Sequence, residues 1–270
     1  MPRIDLIALD LDGTLLSPDE TISARNRSAI SRALAEGTRV VLVTGRGVDT
    51  PIRVSKDLGL NLPVICCHGA LTKDFGADRT LIHIPVPLKY AKPMVQFAQD
   101  EGLPLAVYIG ETFYRLQGSE ITMDDMRGPG WKETGSFFDV LTEAPTFLRF
   151  LGEQSVQAMR EKFGDLPLSF RYETWNDFVE CAVLAREASK RNALARLCAD
   201  FGIPAERVLA IGDSRNDVPM LRWAGIGVAM GNALPEVRDQ VRYVTAGNDR
   251  DGVAAAIERF CPPAEAEKSA

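Results

Sequence analysis

Two aspartates stand two residues apart, Asp10 and Asp12, in the apolar run "LIALDLDGTLL" of residues 6–16, and Gly13 and Thr14 follow at once. A buried strand has no packing use for one carboxylate at its end, still less for two. Further along come "VTGR" (Thr44, Gly45, Arg46), "CCHG" (His68, Gly69), "ASKRNAL" with Lys190, and "GDSRND" with Asp213, Ser214, Asn216 and Asp217. Ligands in open α/β sheets bind beyond the carboxyl ends of the strands, which is where these groups fall if the preceding apolar runs are strands. Like charges ~4 Å apart repel by about 1 kcal/mol in water and by several as the effective dielectric falls, so four carboxylates at one rim need a cation. Mg²⁺ meets that need: it takes one or two carboxylates, keeps several waters and bridges readily to a phosphate. Lys190, at a helix start, adds a cation and a dipole end suited to an anion. Gly13 and Gly45 let backbone N–H groups approach phosphate oxygens. The rim therefore reads as a site for Mg²⁺ plus a phosphate group.

The elements that must position these residues are legible as periodicity. "IDLIALD" (4–10) is a nearly continuous apolar run, as a parallel strand covered on both faces requires. After Ser23, a helix N-cap, Ile30, Ala33 and Leu34 recur at helical spacing and Gly37 closes the element. "RVVLVTG" (39–45) reads as a second buried strand and "PVICCHG" (63–69) as a third, giving βαβ units and a doubly wound sheet. The last third resumes the pattern. Ser189 caps a helix with Leu194, Leu197, Cys198 and Phe201 on one face, and Gly202 stops it. The strand "RVLAIGD" (207–213), the runs "GIGVAMG" and "VRYVT", and a final helix from Asp251 follow.

The middle differs. "PLAVYIGETFYRL" and "LSFRYETWNDFVECAV" read as hairpins, with Leu168, Phe170 and Tyr172 alternating with polar neighbours and a turn at Trp175-Asn176-Asp177. The expected fold class is α/β: a doubly wound, Rossmann-like parallel-sheet core with an inserted α+β cap domain. The expected boundaries are core at 1–84, cap at 85–187, core again at 188–261, and a flexible tail at 262–270.

Composition narrows the partners. The chain has 270 residues, 46% of them hydrophobic, and a formal net charge of −6. Without a long Lys/Arg cluster it has no footprint for nucleic acid. The same acidity argues against an anionic membrane surface, and no apolar stretch approaches the roughly 18 residues that span a bilayer. The N-terminus lacks the basic-then-apolar build of a signal peptide. Five cysteines, an odd number, fit neither a disulfide framework nor a zinc site, which points to a reducing cytoplasm. Oligomeric state is not legible.

"DLDGT", "VTGR", Lys190 in "ASKRNAL" and "GDSRND" resemble, in order, the four motifs of the haloacid dehalogenase superfamily of aspartyl-phosphate-forming phosphatases. The inserted segment resembles the large cap of its Cof-like branch, and "VAMGNA" (228–233) fits that branch too. The resemblance implies that Asp10 is the nucleophile and Asp12 the general acid, then base, its backbone carbonyl also ligating the metal. It implies that Thr44 and Lys190 hold phosphate oxygens, with Gly45 and Arg46 beside them. Asp213 would bind Mg²⁺ directly, Asp217 directly or through a water, and Asn216 would orient that cluster or the substrate. Asp12 favours phosphoryl transfer, because a leaving halide needs no acid. The implied substrates are small phosphorylated metabolites: sugar phosphates first, then pyridoxal phosphate or flavin precursors, chosen by the cap. Two positions depart from the branch. His68 stands where Asn is usual, so it is a candidate substrate contact, and Arg191 stands where glycine is common, which threatens to crowd the helix start.

Plainer readings accompany each residue. Alone, Thr44 is a strand-end threonine, Lys190 a solvated lysine, Asp217 a helix cap and His68 a polar rim residue. His83 reads as structural, and Trp131 and Trp175 read equally as core or surface residues and as substrate platforms. A phosphohexomutase-type phosphotransferase would use the same two aspartates, and a non-catalytic binder of phosphorylated ligands is the third alternative; a mere binder needs no second carboxylate beside the nucleophile.

Overall fold

Helix and strand signals alternate in the first and last thirds, and there the chain builds one parallel sheet. The structure, a computed structural model, describes residues 3–119, 131–175 and 178–262. It opens with β1 (Leu6–Leu9), α1 (Ala24–Ala35), β2 (Arg39–Leu42), α2 (Asp49–Asp57), β3 (Val64–Cys66), β4 (Leu71–Asp74) and β5 (Arg79–His83). The middle holds α3 (Leu88–Asp100), β6 (Leu105–Ile109), β7 (Thr112–Leu116), β8 (Trp131–Thr134), β9 (Phe147–Leu151), α4 (Glu153–Phe163), β10 (Leu168–Trp175) and β11 (Phe178–Ala185). Then come α5 (Lys190–Asp200), β12 (Val208–Gly212), α6 (Val218–Trp223), β13 (Ile226–Ala229), α7 (Pro235–Arg238), β14 (Tyr243–Val244) and α8 (Gly252–Phe260). The described residues form two compact units, one from 3–45, 50–81 and 189–262, the other from 46–49 and the described part of 82–188.

In the first unit the strand order is β14-β13-β12-β1-β2, every pair parallel. Residues Leu6 to Leu9 are fully buried because both faces are covered. Ile7 and Leu9 pack with Ile30 of α1 and Ile257 of α8 on one side, while Leu6 and Ala8 pack with Leu194 of α5 and Met220 of α6 on the other. Ser23 and Ser189 cap α1 and α5, each side chain accepting from the backbone N–H three residues on, Asn26 and Asn192. The apolar run of β3 reads as a third parallel strand, and Ile65 does pair parallel with Val43, just beyond β2. The reading is corrected in that β3 also turns into an antiparallel sheet of order β3-β4-β5. Asp74 builds the β4–β5 turn, its Oδ1 accepting from Gly76 N and Ala77 N at 3.1 Å each.

The second unit carries a sheet of order β10-β11-β9-β6-β7-β8, antiparallel except for β7 with β8. Val107, Leu148, Phe150, Cys181 and Val183 pack under Met94 of α3 and Met159 of α4. The alternate positions include Ala106 and Leu151, with Phe113 stacked on Trp131 at 4.3 Å between centroids. Trp131 is thus a packing residue, and His83 is structural, bonded through Nε2 to Thr146 Oγ1 at 3.0 Å. Asn176 and Asp177 of the expected turn, the Trp175 side chain and residues 263–270 of the tail lie outside what the structure describes. All five cysteines are buried thiols. Among the described residues no helix is long and apolar enough to cross a membrane.

Candidate active site

Asp10 continues β1 by one residue, its N–H donating to Ile211 O at 3.1 Å, and its side chain is buried. The chain then turns back on itself, Leu15 N donating to Asp10 O and Leu16 N to Leu11 O. Gly13 makes the turn possible with φ +71°, and a Cβ there would lie 2.3 Å from Asp213 Oδ2, so only glycine fits. Thr14 Oγ1 donates to Asp213 Oδ1 at 2.9 Å, tying the loop after β1 to the loop after β12. Asp217 is fully buried. It sits at the N-cap position of α6 but makes no side-chain cap bond, so the plain capping role is not the one it fills. Its Oδ2 accepts from Asp213 N, Ser214 N and Ser214 Oγ at 3.1, 3.0 and 2.9 Å, holding the whole 213–217 loop. Lys190 opens α5 and is only 2% exposed; its Nζ donates to Asp10 Oδ1 and Asp217 Oδ1 at 2.7 Å each.

One oxygen from each of Asp10, Asp213 and Asp217 lies within 4.8 Å of the others. Three carboxylates against one ammonium leave two negative charges uncompensated, the charge that a single dication supplies. Burial, then the Asp217 charge, push the Asp10 carboxyl well above the usual carboxylate range, with Lys190 pulling the other way. Burial and Asp217 push Asp213 up to about 7. Burial works against the Lys190 ammonium, but Asp10 and Asp217 outweigh it and hold its pKa above the ordinary lysine value. An all-oxygen donor set that resists full ionisation without more positive charge fits a hard dication such as Mg²⁺. Asp217 spends Oδ2 on three donors and Oδ1 on Lys190, so its geometry favours orienting this cluster over direct ligation.

A second loop faces the same unit. Thr44 is buried, its N–H donating to Ile65 O and its carbonyl accepting from His68 N. The backbone then runs through Cys67, His68 and Gly69 at φ +52°, +54° and +92°, all left-handed. Gly69 needs that freedom twice over, since a Cβ would lie 2.2 Å from Ser189 O at the start of α5. The ring of His68 lies against Gly45, where a Cβ would come within 2.4 Å of it, and its Nδ1 is 3.4 Å from Asn216 Nδ2. Asn216 Oδ1 in turn lies 3.0 Å from Ser214 Oγ, whose single hydrogen it shares with Asp217 Oδ2. The left-handed backbone explains the residue type: Asn and His are enriched there and β-branched residues are strongly disfavoured. His68→Asn is therefore expected to keep the wild-type stability, and His68→Val to lose about 1–2 kcal/mol in urea unfolding.

The profile of the haloacid dehalogenase-like hydrolase family matches residues 7–257. The chain belongs to that family. Phosphatase YwpJ of Bacillus subtilis is 30% identical to this hydrolase over 92% of this chain and 97% of its own. The pyridoxal phosphate phosphatase YbhA of Escherichia coli is 28% identical over 93% and 97%. The 5-amino-6-(5-phospho-D-ribitylamino)uracil phosphatase YitU of B. subtilis is 28% identical over 94% and 97%. A crystal structure of a haloacid dehalogenase-like hydrolase from Bacteroides thetaiotaomicron superposes with a TM-score of 0.83 at 26% identity, covering 96% of this chain and all of the other. Among these relatives the hydrolase is a phosphoric monoester hydrolase.

In the hydrolase, Asp10, Lys190, Asp213 and Asp217 converge directly, and Asp12 lies near enough that its charge raises the Asp10 pKa. Thr44, Gly45, His68 and Asn216 belong to the same unit; Arg46 is buried and falls in the segment 46–49 that groups with the second unit. Arg191 is exposed, with its guanidinium on the Asn192 side chain at 3.1 Å, so it does not crowd the start of α5. Sequence reasoning passed over Ser214 as a structural donor, gave Asn232 no role beyond its place in "VAMGNA", and missed Asn248 altogether. Both asparagines follow strands at their carboxyl ends, the signal that would have found them.

Proposed function

We propose that the hydrolase is a Mg²⁺-dependent phosphatase that releases inorganic phosphate from small phosphorylated metabolites through an aspartyl phosphate on Asp10. The observation that carries the reading is the buried pairing of Lys190 with Asp10 at 2.7 Å inside a trio of carboxylates set for one cation. Asp10 and Asp213, with the Asp12 carbonyl, would hold Mg²⁺, which supplies positive charge to the phosphoryl oxygens when bound. An Asp10 oxygen attacks phosphorus, the bond to the leaving oxygen breaks, and protonated Asp12 gives its proton to that alkoxide. Ionised Asp12 then takes a proton from water as it attacks the aspartyl phosphate, freeing Asp10 and inorganic phosphate. Lys190 keeps Asp10 aimed and screens its charge against the incoming anion. Uncatalysed hydrolysis of phosphate monoesters calls for acceleration of up to ~10²¹-fold, most of it from positioning and charge stabilisation, which is what this set of residues offers.

Sugar phosphates, pyridoxal phosphate and flavin-precursor phosphates are the substrate classes to test; the names of the E. coli and B. subtilis relatives support the latter two. A panel of these esters with Mg²⁺ is expected to give stoichiometric inorganic phosphate from at least one class. Phosphoryl return to the substrate without free phosphate would instead identify a mutase, and binding without turnover a non-catalytic binder.

Metal and proton compete at Asp213. Its folded pKa of about 7 lies above the ordinary 3.8, so the folded state binds that proton more tightly than the unfolded chain does. The stability linked to it is complete below about pH 4 and is lost as pH rises to about 7. Metal-free protein is therefore expected to melt lower at about pH 8 than at about pH 5.5, and Mg²⁺ to raise the melting temperature more at the higher pH. A Mg²⁺ shift larger at the lower pH would contradict this assignment.

A further inference from the structure

Outside the acidic cluster, two neutral amides reach the same catalytic loop. Asn232 follows β13 and Asn248 follows β14. Asn232 Nδ2 donates to Gly13 O at 2.8 Å, and Asn248 Nδ2 donates to Leu16 O at 2.8 Å. Asn248 N donates to Asn232 Oδ1 at 2.9 Å, so the two residues are joined in series. Their own loops are braced main chain to main chain: Gly231 N donates to Ala246 O at 3.0 Å, and a Cβ on Gly231 would lie 2.9 Å from Gly247 N. The same loop meets the acidic cluster: a Cβ on Gly13 would lie 2.3 Å from Asp213 Oδ2, and Thr14 Oγ1 donates to Asp213 Oδ1.

We propose that Asn232 and Asn248 are positioning residues for the metal site, acting as an amide ladder that fixes the conformation of residues 13–16. The inference rests on the Mg²⁺ reading given above. Gly13 adopts its left-handed conformation without strain, but glycine leaves that conformation as easily as it enters it. Its carbonyl is one peptide on from the Asp12 carbonyl, the expected backbone ligand. Pinning Gly13 O from outside therefore removes a rotation that would swing the Asp12 carbonyl away from Asp10 and Asp213. Groups that orient ligands in this way typically govern metal affinity or activity by 10–100-fold.

The test is calorimetric titration of Mg²⁺ into the substrate-free protein, beside phosphate release as a function of Mg²⁺. Asn232→Ala is expected to weaken Mg²⁺ binding about tenfold. Asn232→Asp separates charge from geometry: it adds a negative charge that by itself would tighten Mg²⁺, but it replaces the donor to Gly13 O with an oxygen. It is expected to weaken Mg²⁺ binding as well. Because the ladder acts in series, Asn232→Ala with Asn248→Ala is expected to be no more than about twofold worse than Asn232→Ala alone. Mg²⁺ affinity within about twofold of wild type in both Asn232 variants overturns the ladder, as does tighter binding by Asn232→Asp, or a lower melting temperature with the affinity kept. If the wild type itself takes up no Mg²⁺, the failure is that of the metal reading instead.

Discussion

Asp10→Asn is expected to abolish phosphate release, by on the order of 10⁵-fold, and to leave the fold intact. The activity falls because an amide cannot form the acyl phosphate. The fold survives because Asn is the same shape and keeps an oxygen to accept from Lys190, whose 2.7 Å bond to Asp10 Oδ1 organises the site. Electrostatics adds a sharper expectation. Burial and Asp217 already disfavour a charged Asp10, so removing that charge relieves repulsion. Metal-free Asp10→Asn should melt at or above the wild-type temperature, while its gain on adding Mg²⁺ shrinks. Phosphate release retained within tenfold would remove the covalent mechanism.

Lys190→Met has the second largest expected effect, and it strikes stability as well as activity. The ammonium is buried and bonded to two buried carboxylates, Asp10 and Asp217. Removing one partner of a buried charge set leaves uncompensated charge, at a cost of about 3–5 kcal/mol. Methionine matches the length of the stem, so packing is kept and the loss is electrostatic. A second substitution checks that origin. Asp217→Asn keeps an oxygen for the three donors at Asp213 and Ser214 while deleting the charge that Lys190 no longer meets. The double variant should therefore regain much of the stability in urea unfolding and none of the activity. Equal destabilisation in single and double variants would mean that packing, and not charge, is what Lys190 contributes.

The acidic centre was legible because it breaks a rule: two strands that otherwise bury every side chain lead straight into carboxylates, Asp10 and Asp12 after β1 and Asp213 and Asp217 after β12. Ser23 and Ser189 announced their helices for an equally local reason, a hydroxyl placed three residues before an orphan N–H. What the sequence hid depends on partners far along the chain. Val64–Cys66 has the apolar content of a parallel strand, and nothing within it says that Leu71–Asp74 will fold back on it antiparallel. The Asp74 turn was the available sign, and a single Asx turn is weak. Asn248 escaped, and Asn232 carried no role beyond its place in "VAMGNA", because a neutral amide at a strand end breaks no burial rule; their meaning lies in contacts 219 and 232 residues away in sequence. His68 shows the converse. Its identity looked like a matter of substrate choice, and the left-handed backbone gives it a conformational cause that the sequence does not display.

The central claim is that Asp10 carries the phosphoryl group between substrate and water. Rapid quenching of wild type during turnover of a phosphate-labelled ester with Mg²⁺, followed by peptide mapping, tests it most directly. The label should appear on the peptide holding Asp10, form and decay at rates that account for turnover, and be absent from Asp10→Asn. Full turnover with the label on any other residue, or on none, would contradict the account.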